Sequence, residues 1–244
     1  MKRFILLILV SGLAACTKPP MLSTAKTAAE ASKECHAYSE DKDFEHAAQC
    51  LELLKSRYAG TPEAADAEIE LADNSYHQKD YLIAADAYKT FAKLHPTHSR
   101  IDYVYYRTGL SYLKESPKGI DRDQEYLDDA IHYFVLTLNT TGSQYRDIAR
   151  EKWVEARQRL ARRSYYIARF YYRSGEYLSA IPRFEEIVTK FSELGLDEKA
   201  LYFLGRSYDA LGKKDKALEI VSVFDQHFPG SKYRKKLAGK IGIK

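Results

Sequence analysis

Apolar residues recur along this chain at helical spacing, in segments of about twelve to sixteen residues separated by short polar turns that hold most of its Gly and Pro. Nothing reads as a strand. One phrase repeats: an acidic or polar turn, an aromatic, and Ala three residues later. It appears as Asp43-Phe44 with Ala47, Asp80-Tyr81 with Ala84, and Gly175-Glu176-Tyr177 with Ala180. Gly212-Lys213 with Ala217 keeps the turn and the alanine, and Asp129-Ala130 is a weaker copy. The steps between the alanines are 37, 46, 50 and 37 residues, so two repeats carry extra structure. The pattern predicts a loop at Glu115–Asp123 for the first excess. For the second it predicts a lengthened helix through Ile148–Tyr172, apolar at Ile148, Trp153, Ala156, Leu160, Ile167 and Phe170.

Leu204-Gly205, Tyr208, Ala217, Phe224 and Pro229 fall at the spacings of the 34-residue tetratricopeptide unit, and Leu71-Ala72, Ala84, Tyr88 and Pro96 supply a second copy. The physical reason for the pattern is close approach: a small residue on one helix faces a small residue on the next, and aromatics fill the gaps between pairs. Each hairpin can bury its remaining apolar face only on a neighbour. The expected fold is an all-α tetratricopeptide-repeat solenoid of about five helix-turn-helix repeats over residues 28–244. In such an array the first helix of each repeat lines a groove. Here the groove positions fall on His36, Ile69, Asp73, Tyr76, Tyr103, Tyr106 and Leu110, with Arg107 beside them. Aromatics and Arg are the residue types that anchor partner peptides, although a tyrosine in a repeat also serves as packing between hairpins.

The N-terminus changes the picture from a fold to a place. Lys2-Arg3, an apolar run from Phe4 to Val10, and small residues up to Cys16 have the form of a secretory signal, too short to span a bilayer. Leu13-Ala14-Ala15-Cys16 resembles the lipobox of bacterial lipoproteins, which predicts a signal peptide over 1–15, lipidation of Cys16, and a tether over 16–27. Thr17, rather than Asp, after the cysteine resembles lipoproteins sorted to the outer membrane. The formal charge of +4 is small, but it is unevenly spread. Acidic side chains outnumber basic ones by more than two to one from Glu30 to Lys89, and the balance reverses from Arg146 to Lys190.

Candidate chemistry is sparse. His95 and His98 flank a proline, but a metal site needs more ligands, and no His-Glu-x-x-His or paired Cys-x-x-Cys is present. Both histidines read as a helix C-terminus, where the dipole favours His and Pro stops the helix. No nucleophile-elbow, phosphate-loop or dinucleotide fingerprint occurs, so neither an enzyme nor a cofactor is expected. Cys35 and Cys50 lie on neighbouring helices of the first repeat, in an exported chain whose compartment permits disulfides. They are either bonded or two small buried thiols. The run Arg159–Arg173 interleaves basic and aromatic residues, but an exported chain has no nucleic acid to meet.

Pro96-Thr97-His98, Ile101-Asp102-Tyr103-Val104, Tyr106 and Gly109-Leu110 closely resemble a segment of the BamD family, the outer membrane assembly lipoproteins of the β-barrel assembly machinery. Asp121-Arg122-Asp123, Arg159-Leu160-Ala161 with its Tyr-rich continuation, and Gly175 with Arg183 continue the resemblance over nearly the whole mature chain. The resemblance implies a periplasm-facing scaffold anchored in the outer membrane. Its implied partners are the periplasmic domains of BamA, other assembly lipoproteins and unfolded outer membrane proteins. Arg173 and Arg183 would help hold the barrel partner, and the N-terminal groove would take substrate peptides. The competing class is a peptidoglycan-associated tetratricopeptide lipoprotein that tethers envelope or division proteins.

Overall fold

A computed structural model describes residues 21–22 and 24–242. The signal segment, Cys16 and the first part of the tether lie outside the described residues. Eleven helices form among those described: α1 (Ala28–Glu40), α2 (Phe44–Arg57), α3 (Pro62–His77), α4 (Tyr81–Leu94), α5 (Ile101–Glu115), α6 (Tyr126–Asn139), α7 (Arg146–Arg173), α8 (Tyr177–Lys190), α9 (Asp197–Ala210), α10 (Lys214–His227) and α11 (Lys232–Ile241). They run as five consecutive hairpins followed by a terminal helix. Four of the five hairpin turns share one device. The second residue after the first helix takes a left-handed backbone, at Lys42, Lys79, Gly175 and Gly212. The next N–H then returns to a carbonyl five residues back, as in Asp43 to Tyr38 and Lys213 to Tyr208, both 2.9 Å. This closes the orphan carbonyls of the helix end and reverses the chain within three residues.

The repeated alanines Ala47, Ala84, Ala130, Ala180 and Ala217 are all completely buried. Opposite them sit equally small residues. A Cβ on Gly109 would lie 2.9 Å from the Phe134 ring and 3.2 Å from the Ala130 carbonyl, and one on Gly205 would lie 2.5 Å from Leu237. The repeat's small positions are therefore close-contact positions, and the fold is an all-α tetratricopeptide array.

The described chain divides into two compact units, the first ending at Ala67 and the second starting at Glu68, within α3. In the first unit Cys35 and Cys50, both fully buried, are joined by a disulfide with Cα atoms 5.2 Å apart. Cross-linking residues fifteen apart removes about 3 kcal/mol of chain entropy from the unfolded state. Leu22 differs from the tether expected over 16–27. It is fully buried, its N–H donates to Glu34 Oε1 (2.9 Å), and its carbonyl accepts from Arg57 Nη1 (2.7 Å). A lone leucine without helical period gave no sign of this, yet its burial carries ordered structure back ahead of Ala28.

In the second unit each helix from α4 onward packs on the next, and α11 closes the end against α9 and α10. The loop between α5 and α6 fills the first long step. The second is α7, whose 28 residues extend about 42 Å. Its buried positions are Ala149, Ala156, Ala161 and Ala168, whereas Ile148 and Phe170 stand exposed. Its first half packs with α5 and α6 around Phe134, and its second half with α8 and α9 around Phe184. One helix is thus shared by two cores.

Candidate docking groove

Asp73 and Tyr76 sit one turn apart on α3, and Tyr103 and Arg107 one turn apart on α5, so each pair shares a helix face. They meet around a single carboxylate oxygen. Asp73 Oδ1 accepts from Tyr103 Oη (2.5 Å), from the Tyr88 hydroxyl of α4, and from Arg107 Nε (3.2 Å). Arg107 Nε also donates to Tyr88 Oη (3.1 Å), and its guanidinium lies 3.8 Å from the centre of the Tyr76 ring. A desolvated cation on an aromatic face is worth about 2 kcal/mol. Arg107 Nη2 is buried and has no hydrogen-bond partner.

Burial, with the Asp73 charge beside them, pushes the hydroxyls of Tyr88 and Tyr103 well above the usual phenol range and keeps both neutral donors. Burial works against the Arg107 cation, but the oxygens of Tyr88, Tyr103 and Asp73 outweigh it and hold its pKa above the ordinary guanidinium value. The cluster is a charge-balanced Asp73–Arg107 pair with aromatic walls. It can recognise apolar side chains, and it holds no nucleophile poised beside a general base.

The remaining groove positions divide. Ile69 is fully buried and belongs to the core, not to a groove. Tyr106, assigned to the groove face, is buried too: its ring stacks on Tyr145 at 5.4 Å and 12° and packs near Phe134. The cause is Tyr145, just ahead of α7, which covers the position that a regular repeat leaves open. Leu110 is partly buried against the same core. His36 belongs to the first unit, exposed on α1, with Nε2 3.7 Å from Glu40. Tyr88 was legible as a repeat position but not as a hydroxyl donor to Asp73, because repeat spacing reports burial and not polarity.

Arg173 and Arg183 are exposed and do not share a site. Arg183 lines a cleft of about 650 Å³ between α6, α7 and α8 with Trp153, Arg157, Glu186 and Lys190. Arg157 lies 4.5 Å from the Trp153 ring, and Arg183 Nη1 is 3.6 Å from Glu186. Arg173 lines a different pocket with Tyr166 and Phe170. His95 ends α4, its N–H donating to the Phe91 carbonyl (2.8 Å), and both His95 and His98 pack on the Phe91 ring. Among the described residues no group of three or more His, Cys, Asp or Glu side chains could hold a metal ion.

Helical hairpins stacked through small residues, with arginine–aromatic clusters on their flanks, define a tetratricopeptide-type helical array. The chain belongs to the YfiO family of outer membrane lipoproteins, whose model matches residues 24–223. Its relatives include three proteins named outer membrane protein assembly factor BamD. That of Neisseria meningitidis serogroup A is 26% identical over 86% of this chain and 81% of its own length. That of Rickettsia prowazekii is 28% identical over 79% and 76%. That of Vibrio cholerae is 26% identical over 68% and 73%. Among solved structures, the TPR2AB domain of yeast Sti1 in complex with a pHSP90 ligand aligns with a TM-score of 0.43 at 12% identity, over 88% of this chain and 82% of that one. The type IV pilus biogenesis factor PilW aligns with a TM-score of 0.27 at 14% identity, over 87% and 98%.

Proposed function

We propose that this chain is a periplasm-facing scaffold of outer membrane protein assembly, held to the membrane by lipid on Cys16. In this reading it binds the BamA barrel partner and substrate peptides and catalyses no reaction. Family membership and the assembly-factor names of the relatives support the role. The observation that carries the binding half is the Asp73–Arg107 pair, which fixes the rings of Tyr76 and Tyr103 beside one guanidinium. An extended peptide brings an apolar side chain for those rings. The Arg183 cleft supplies a second cationic surface, suited to the carboxylates of a folded partner.

No described helix is long and apolar enough to cross a membrane, so attachment falls to the lipid. Six residue steps lead from Cys16 to the buried Leu22, a reach of at most about 20 Å, which would hold the first unit close to the bilayer. The peptide role is tested by fluorescence anisotropy with a synthetic C-terminal strand peptide of an outer membrane barrel protein. Tyr76→Ala, read alongside an unchanged helical circular dichroism spectrum, is expected to weaken binding about tenfold. Wild-type affinity in that variant would remove the groove from the proposal.

A further inference from the structure

The cationic stripe on the other side of α7 has no role in the groove or in the Arg183 cleft. Arg162, Tyr166, Arg169, Phe170 and Arg173 follow one another at helical spacing and line a pocket of about 380 Å³, walled by Ile120 from the α5–α6 loop. The cleft of Arg183 is lined by Trp153, Arg157, Leu160, Ser164 and Ile167 of the same helix. The two sets are offset by about two residues, and at 100° per residue that places them on different sides of α7.

Three observations say what this stripe is for. Phe170 is 62% exposed, Tyr166 48% and Ile120 39%, and they form one apolar patch rather than scattered surface residues. No acidic residue lines the pocket, and among the described residues none pairs with Arg162, Arg169 or Arg173. Arg169 lies 3.6 Å from the Phe203 ring, and its Nη1 is buried without a hydrogen-bond partner. Other exposed or half-exposed arginines of this unit have carboxylates, as Arg234 does in Asp225 and Arg163 in Asp123.

The Ile120 wall is built in. Arg159 donates to the carbonyls of Leu113 (3.2 Å), Ser116 (3.0 Å) and Pro117 (2.6 Å) and to Gln124 Oε1 (3.0 Å), while Gln124 Nε2 donates to the carbonyls of Pro117 and Gly119. One guanidinium thereby holds both ends of the loop that carries Ile120 against α7.

We infer that this face is a third protein-docking site, which receives an acidic amphipathic helix from a partner. Large apolar side chains of that helix would enter between Tyr166 and Phe170, and its flanking carboxylates would meet Arg162, Arg169 and Arg173. A stripe spanning about three helical turns matches a helix laid along it, and a concave pocket suits an inserted side chain better than a flat lipid surface. The inference rests on the reading of this chain as a docking scaffold but not on the Tyr76 groove, which lies on other helices.

The test uses the full chain in mild detergent and three fluorescein-labelled synthetic sixteen-residue peptides. The first has a Leu/Phe stripe with Glu on its flanks, the second has Lys in place of Glu, and the third has Ala in place of Leu and Phe. Only the first is expected to bind. The exposed substitutions Phe170→Ala and Arg162→Gln/Arg173→Gln should each weaken it at least tenfold, and Arg183→Gln should leave it unchanged. Binding of the alanine peptide with equal affinity would reduce the face to a diffuse charge effect and overturn the proposal. So would binding to phosphatidylglycerol vesicles with no binding of the first peptide, or indifference to Phe170→Ala. Loss of this site with the Tyr76 peptide still bound would separate its failure from that of the groove.

Discussion

At the scale of single residues, the tyrosines carry most of what is specific. Twenty are present, and those described here divide by what their hydroxyl reaches. Tyr88 and Tyr103 give theirs to Asp73, Tyr208 gives its own to Glu185 (2.6 Å), and Tyr106 is used as a ring alone. Burial, then the hydrogen bond to Glu185 and its charge, push Tyr208 up to about 12. In the unfolded chain the same phenol ionises near 10. The folded state therefore holds the proton longer, and this stabilisation is complete below pH 10 and is lost as pH rises from 10 to 12. Urea midpoints measured across that range should fall, and Tyr208→Phe should flatten part of the fall, the remainder belonging to the other buried tyrosines whose phenols are raised, Tyr88 and Tyr103 among them. A variant with the wild-type slope would show that Tyr208 keeps no proton of its own. Sequence reached these residues unevenly. Repeat spacing marks Tyr88 and Tyr208 as buried positions, but it cannot tell a ring that fills a gap from one that also donates. It set Tyr106 and Ile69 on the open face because it carries no information about Tyr145, which covers the former.

Among the elements, the alanine repeat read correctly because close helix contact is a local demand on residue size, visible one position at a time. The hairpin turns were legible for the same reason at Gly175 and Gly212. At Lys42 and Lys79 the turns were legible from Asp43 and Asp80, but the left-handed residue was not, since a left-handed Lys leaves no compositional mark. The lengthened α7 was expected from the long step, but its buried alanines were not distinguished from its exposed Phe170. The clamp by Arg159 lay beyond the sequence altogether, because four acceptors come from residues 35 to 46 positions away. Those acceptors are partly buried, and removing their donor leaves the Leu113 and Ser116 carbonyls without it at about 1 kcal/mol or more each, while Pro117 keeps its bond from Gln124 Nε2. Arg159→Ala is thus expected to free the loop, raising the rate of tryptic cleavage at Lys118 and Arg122 at least fivefold while the helical circular dichroism spectrum is retained. An unchanged cleavage rate would mean that the loop is held by something other than that guanidinium.

For the whole molecule, the two ends of the chain differ in kind. The first unit is stapled by the Cys35–Cys50 disulfide and tied through Leu22 to the segment that follows the lipidation motif. The second unit carries the Asp73–Arg107 centre, the Arg183 cleft and the α7 stripe on one continuous set of packed helices. Each repeat of such an array contacts only its neighbours, so in the proposed reading the surfaces of this unit would hold partners along one stack. That is the physical content of calling the protein a scaffold. The most direct measurement is to extract the native lipoprotein from membranes in mild detergent through a C-terminal tag and to identify what elutes with it by mass spectrometry. A BamA-type barrel protein is expected in near-equal amount, reduced by Arg183→Glu. Elution without any barrel partner, together with sedimentation of the chain on purified peptidoglycan sacculi, would contradict the assembly role and favour an envelope tether.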